Sequence, residues 1–167
     1  MRGTMSALLV WRDSWLLGID ELDADHREMV RLLNDLCDGA GPDPGATPPA
    51  IDGDSTSGGS RPSLEDRLTG AVAHLRAHFE REERFLATIG YPGIEEHRRE
   101  HSLQMAEFVD LQRVVAAVEA DHLGEEAAEG IKRWFFNHVI AEDLRFADFY
   151  FRELLGQEPR NRTHSSN

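Results

Sequence analysis

From Leu64 onward the large apolar residues fall at a four-three spacing: Leu64, Leu68, Ala71, Leu75, then Phe85 and Ile89. That spacing returns to one side of an α-helix with each turn, whereas a strand needs a period of two. It predicts a helix of about 26 residues, roughly 39 Å long, opened by Ser63 and Asp66 as an N-terminal cap. The same periodicity recurs elsewhere in the chain. A first helix, from about Asp20 to Asp38, buries Leu22, Met29, Val30, Leu33 and Leu36. Another follows the Tyr91-Pro92-Gly93 turn and buries Ile94, Met105, Phe108, Val115 and Val118. The last begins near Gly124 or Glu125 and carries Ile131, Trp134, Phe135, Phe149 and Leu154. No run of alternating β-branched residues argues for a sheet. Four amphipathic helices joined mostly by short turns predict an all-α, up-down-up-down four-helix bundle over residues 20–155.

Three segments fall outside that pattern. Residues 1–19, with Trp11, Trp15, Leu16 and Leu17, read as an N-terminal arm packed on the bundle. Between the first two helices, 11 of the 24 residues from Gly39 to Pro62 are Gly or Pro, the composition of a long flexible loop. The stretch 156–167 is a polar tail. The charge is lopsided: 31 Asp and Glu against 18 Lys and Arg leave a formal charge of -13. Such a surface repels phosphates and argues against a nucleic-acid partner. A lone cysteine, Cys37, excludes an internal disulfide framework and fits a reducing compartment. Ala7 to Trp11 is too short for a signal-peptide core, and nothing approaches a membrane span. A cytoplasmic protein with no membrane partner is expected.

Function is signalled by what interrupts the apolar stripes. In the second helix the alternation runs Leu75, His78, Glu82, Phe85, so an imidazole and a carboxylate take two successive core positions. In the third, His97 and His101 continue the face from Ile94 toward Met105; His26 and His138 sit on the buried stripes of the first and fourth. One histidine on an apolar face is ordinarily a hydrogen-bonded core residue. Five of them with a glutamate would bury many polar atoms and, if protonated, unpaired charge. A metal site removes the conflict, because neutral imidazole and ionised carboxylate are ligands for iron, zinc or manganese. By contrast His74, next to Leu75, His122 at a helix end and His164 in the tail read as solvated.

Five imidazoles exceed what one tetrahedral zinc accepts. Two six-coordinate ions fit better: an oxygen bridge and two bridging carboxylates supply six of about twelve positions, and five histidines fill five more. One position stays open, on one ion only, and iron suits such a site because it supports oxygen chemistry. The second carboxylate is not settled by spacing. On an ideal helix Glu142 lies about 40° from His138 around the axis and Asp143 about 140°, so geometry alone favours Glu142.

The chain resembles the hemerythrin family, and within it the bacterial single-domain members. GIDELDADH at 18–26 is similar to the family's first-helix motif, with His26 on its ligand histidine. HFEREE at 78–83 carries His78 and Glu82, and HRREH at 97–101, after the Tyr91-Pro92 turn, carries His97 and His101. WFFNHVIAED at 134–143 looks like the fourth motif, whose pattern places an Asp five residues after its His. The resemblance therefore selects His138 and Asp143 over Glu142, and implies a local departure from ideal helix geometry such as a π-type bulge. It implies two non-haem iron ions joined by an oxo or hydroxo bridge, with His97, His101 and His138 saturating one. His26 and His78 hold the other, which keeps the open position. Two departures stand out: the family usually joins its first helices by a short loop, so 39–62 is an insertion, and Phe135 stands where a smaller aliphatic residue often lines the oxygen pocket.

The expected function is reversible dioxygen binding, for storage, delivery or sensing, with no catalytic side chain. An alternative is a di-iron oxidase, peroxidase or nitric-oxide-handling enzyme. Ferritin-like enzymes of that kind use four carboxylates and two histidines in Glu-x-x-His elements, whereas Glu100 precedes His101 by one position. The remaining alternative is an iron- or redox-responsive bundle in which the metal serves as a staple.

Overall fold

The structure, a computed structural model, describes residues 8–37, 62–118 and 120–157. Nearly all of the expected 39–62 insertion, most of the 156–167 tail and His164 lie outside the described residues. Four long helical rods make up the bundle. They are α1 (Asp20–Cys37), α2 (Leu64–Ile89), α3 (Ile94–Ala116) and a compound fourth rod beginning with α4 (Glu125–Phe135). That last rod runs on as a π-helical segment (Phe136–Glu142), then α5 (Asp143–Phe149) and a second π-helical segment (Tyr150–Leu154). The all-helical bundle is the predicted fold.

Each end of α2 is specified locally. The Asp66 N–H donates to Ser63 Oγ at 3.0 Å while the Ser63 N–H donates to Asp66 Oδ2 at 3.3 Å, a reciprocal capping box. Replacing Ser63 with Ala is expected to cost about 1 kcal/mol in thermal or denaturant unfolding. At the other end Gly90 adopts φ 65°, and the Tyr91 N–H donates back to the Leu86 carbonyl at 3.0 Å. Only glycine takes that conformation without strain, so the helix stops there and the chain turns into α3.

Where it is described, the stretch before α1 packs on the bundle. Leu9, Trp15 and Leu17 are buried, and Leu9 exchanges two 2.8 Å backbone hydrogen bonds with the Asn34 side chain on α1. The N–H groups of Leu17 and Gly18 donate to the Asp23 carboxylate, fixing the entry into α1. Arg67, buried on α2, donates to the carbonyls of Asp35 and Asp121 and so ties together the end of α1, the start of α2 and the connection into α4.

Apolar packing forms two clusters. The larger joins Met29, Leu33, Leu68, Leu75, Phe79, Phe108, Ile131 and Phe135; the smaller joins Leu17, Leu22, Leu86, Phe146 and Ala147. Three expected core positions, Val118, Phe149 and Leu154, are not buried. Val118 is 55 % exposed because α3 ends at Ala116 and the chain has left the helix. Leu154 is 49 % exposed and Phe149 only half-buried, whereas Phe146, Ala147 and Phe151 are buried. The π-helical turn adds a residue to the rod and rotates every later side chain relative to the α-helical count.

Candidate metal centre

The residues that interrupted the stripes converge. His26 comes from α1, His78 and Glu82 from α2, His97 and His101 from α3, His138 from the first π-helical segment and Asp143 from the start of α5. All are buried, none more than 5 % exposed. The larger apolar cluster covers one flank, with Phe79 stacked on His101 at 3.7 Å and 9° between planes. From the smaller cluster, Phe146 meets the His97 ring edge-on at 5.8 Å.

The nitrogen and oxygen atoms sort into two overlapping sets. Glu82, His97, His101 and His138 form one and His26, His78, Glu82 and Asp143 the other, with the atoms in each set within 4.8 Å of one another. Glu82 Oε2 lies 3.2 Å from Nε2 of both His97 and His101 and 3.7 Å from Nε2 of His78. Asp143 faces both ways: Oδ2 is 3.4 Å from His26 Nε2, and Oδ1 is 3.7 Å from His97 Nε2 and 3.8 Å from His138 Nε2. The backbone sets Glu142 and Asp143 apart. The Asp143 N–H donates to the His138 carbonyl, a hydrogen bond across five residues that brings Asp143 to the same side of the rod as His138. Glu142 is left half-buried, paired with Arg145 at 2.7 Å.

The donor set fits a metal. Both ring nitrogens of His26, Nε2 of His78, Oε1 of Glu82 and both oxygens of Asp143 are buried without a hydrogen-bond partner. Leaving so many groups unsatisfied is costly, and cations at the points they share supply the missing partners. Nε2 of His101 and Nε2 of His138 stand 3.2 Å apart, close enough that they must share a proton or a cation. Burial pushes the His138 imidazole down to about 4, against the pull of Asp143 and Glu82, so it is neutral at pH 7 with a lone pair free. Burial alone would raise the Glu82 carboxyl. The His78 charge and hydrogen bonds from His101 and His97 outweigh it and hold Glu82 well below the ordinary range. For His97, burial is outweighed by the Glu82 hydrogen bond together with the charges of Glu82, Asp143 and Glu100, and the pKa rises.

An outer layer escaped the sequence reading. Asp25 Oδ2 lies 3.4 Å from His78 Nδ1, and Glu83 Oε1 lies 2.8 Å from His101 Nδ1. Arg81 grips Asp25 with two 2.7 Å hydrogen bonds. His74, expected to be solvated, is half-buried with Nε2 3.0 Å from the Asp25 carbonyl, because it lies on the flank of α2 that faces α1. His122 is exposed, as expected. Among the sequence signals only adjacency pointed to these carboxylates: Asp25 precedes His26, and Glu83 follows Glu82. Phe135 is fully buried, its ring contacts being Trp15 of the arm and Phe136. Among the described residues no helix is long and apolar enough to cross a membrane.

Comparison with known proteins converges on the same residues' family. The family model described as the Hemerythrin HHE cation binding domain matches residues 17–150. A bacteriohemerythrin from Stenotrophomonas maltophilia is 27 % identical over 142 residues, 85 % of this chain and 81 % of that protein. Another from Clostridium acetobutylicum is 23 % identical over 84 % of this chain and the whole of its own length. A hemerythrin-like protein from Naegleria gruberi is 22 % identical over 87 % of this chain and 97 % of that one. No solved structure matches. A domain-length family match, laid over a four-helix bundle whose core holds five histidines and two carboxylates, places the chain in the hemerythrin family of non-haem iron-binding proteins.

Proposed function

We propose that the chain holds two irons and binds dioxygen reversibly at one of them. The observation that carries this reading is the unequal histidine count of two sets that have Glu82 in common, with Asp143 of the two-histidine set also reaching toward His97 and His138. His97, His101 and His138 would hold one iron and His26 and His78 the other, with Glu82 and Asp143 placed to serve both. With equal coordination numbers, the iron held by two histidines would have one more position available for a small ligand. A ferrous pair, when bound, supplies the electrons that let dioxygen attach and depart again.

The chain's own residues do the rest. Glu82 and Asp143 each present oxygens toward both histidine groups, which fixes the two sites relative to each other. Phe79 and Phe146 shield the cluster from water. A small cavity of about 10 Å³ lies among Met29, Leu33, Leu75, Phe108 and Trp134. Its lining is apolar, and Met29, Leu75 and Trp134 stand about one turn along their helices from His26, His78 and His138. Storage, delivery and sensing of dioxygen all use this chemistry.

Anaerobic loading with ferrous iron should give two irons per chain. Admitting air should produce a charge-transfer absorption band that disappears when oxygen is removed and returns when it is restored. Irreversible bleaching without an oxygenated species overturns the reading, and steady turnover under excess peroxide would mark an enzyme instead.

A further inference from the structure

Asp25 occupies an unusual place in the bundle: three residues of α2, spaced four and three apart, all reach this one residue of α1. His74 Nε2 lies 3.0 Å from its carbonyl oxygen, His78 Nδ1 lies 3.4 Å from Oδ2, and Arg81 binds both carboxylate oxygens at 2.7 Å. The next residue in the chain is His26. The other outer carboxylate, Glu83, contacts His101 at 2.8 Å, with Arg98 Nε 3.6 Å from its second oxygen. Each candidate iron thus has its own outer carboxylate, drawn from a different pair of helices.

We propose that Asp25 is a positioning residue dedicated to the two-histidine iron, clasped by Arg81 and His74 so that it fixes the ring of His78 and the backbone leading into His26. This rests on the ligand grouping proposed above. By accepting the Nδ1 proton of His78, the carboxylate holds the tautomer that presents Nε2 to the metal and stops the ring from turning. Arg81 fixes the carboxylate's rotamer. The His74 contact pins the peptide that leads into His26, so the separation of the two histidines follows the α1–α2 register. A plain helix-to-helix ion pair would do none of this selectively, because it would stabilise the bundle and both irons alike.

The test is iron release from ferrous-loaded protein to an excess of a ferrous chelator, without oxygen. In Asp25→Ala, half of the iron should leave about 10- to 100-fold faster than in the parent protein, and half at the parent rate. Glu83→Ala should likewise speed one half. The double variant should speed both halves, because the two carboxylates serve different irons. Asp25→Asn keeps the side-chain volume and one acceptor oxygen, and should give the same biphasic release with a smaller change. It serves as the test if Asp25→Ala does not fold. Uniform release in the Asp25 variants, at the parent rate or faster, overturns the proposal, as does a double variant in which half the iron still leaves at the parent rate. Failure of the parent chain to take two irons would sink the ligand grouping itself, a result separate from any effect of Asp25.

Discussion

Asp143→Ala is expected to lose most of its iron, to less than half the parent content after gel filtration, while Glu142→Ala keeps it all. The two residues are neighbours with the same charge, so the contrast isolates geometry. Asp143 is fully buried, with one oxygen toward His26 and the other toward His97 and His138. Its removal takes a shared ligand from both irons, and with it a negative charge that offsets the buried cations. Glu142 spends its carboxylate on Arg145, three residues on and well exposed. Losing such a pair changes stability by about 0.5 kcal/mol or less. Iron content and thermal unfolding, measured on both variants, check the two halves. The reverse pattern would mean that the rod is α-helical through this region in solution and that Glu142 faces the metals.

That contrast also marks how far the sequence could be read. Apolar periodicity located all four rods, since each buries a stripe and burial dominates helix placement. The interrupted stripes exposed His26, His78, Glu82, His97, His101 and His138 for the same reason: a core position filled by a polar residue is visible without knowing the neighbouring helix. Asp143 was invisible to that logic. A π-helical turn changes the count of residues per turn, and its cause lies in what the turn achieves at the centre, so only the motif resemblance could pick it out. The same turn misplaced the core beyond it, which is why Phe149 and Leu154 were favoured over Phe146 and Phe151.

Contacts between helices were the other blind spot. Asp25 and Arg81 are 56 residues apart, and Glu83 and His101 are 18 apart, each pair on different helices. Periodicity places residues around one axis and says nothing of which charged flank meets which. Arg67 shows the same limit. An arginine on a helix ordinarily reads as solvated, yet this one is buried because its guanidinium reaches the carbonyls of Asp35 and Asp121.

Stripping the iron should leave the helices formed but lower the melting temperature substantially. Without metal, Nε2 of His26 and of His78, Oε1 of Glu82 and both oxygens of Asp143 stay buried with no partner, each costing about 1–3 kcal/mol. Free ferrous iron at about 100 times its dissociation constant would restore about 2.7 kcal/mol at each independent site. For a domain of this size each kcal/mol moves the midpoint by roughly 2–4 °C, so filling two sites predicts a rise on the order of 10–20 °C. Thermal unfolding followed by circular dichroism, with chelator and then with ferrous iron restored, measures it; a shift within about 2 °C would contradict a buried metal site. Glu82→Gln separates the metal's contribution from that of the fold. Because His78, His101 and His97 more than offset its burial and hold its pKa below the ordinary range, ionised Glu82 stabilises the iron-free fold at neutral pH, so the iron-free variant should melt somewhat lower than the iron-free parent. Its melting temperature should gain far less from iron, because the amide can no longer bridge two cations as a charged ligand. A deficit that is much larger with iron than without it is the sign of a residue whose main role lies at the metal.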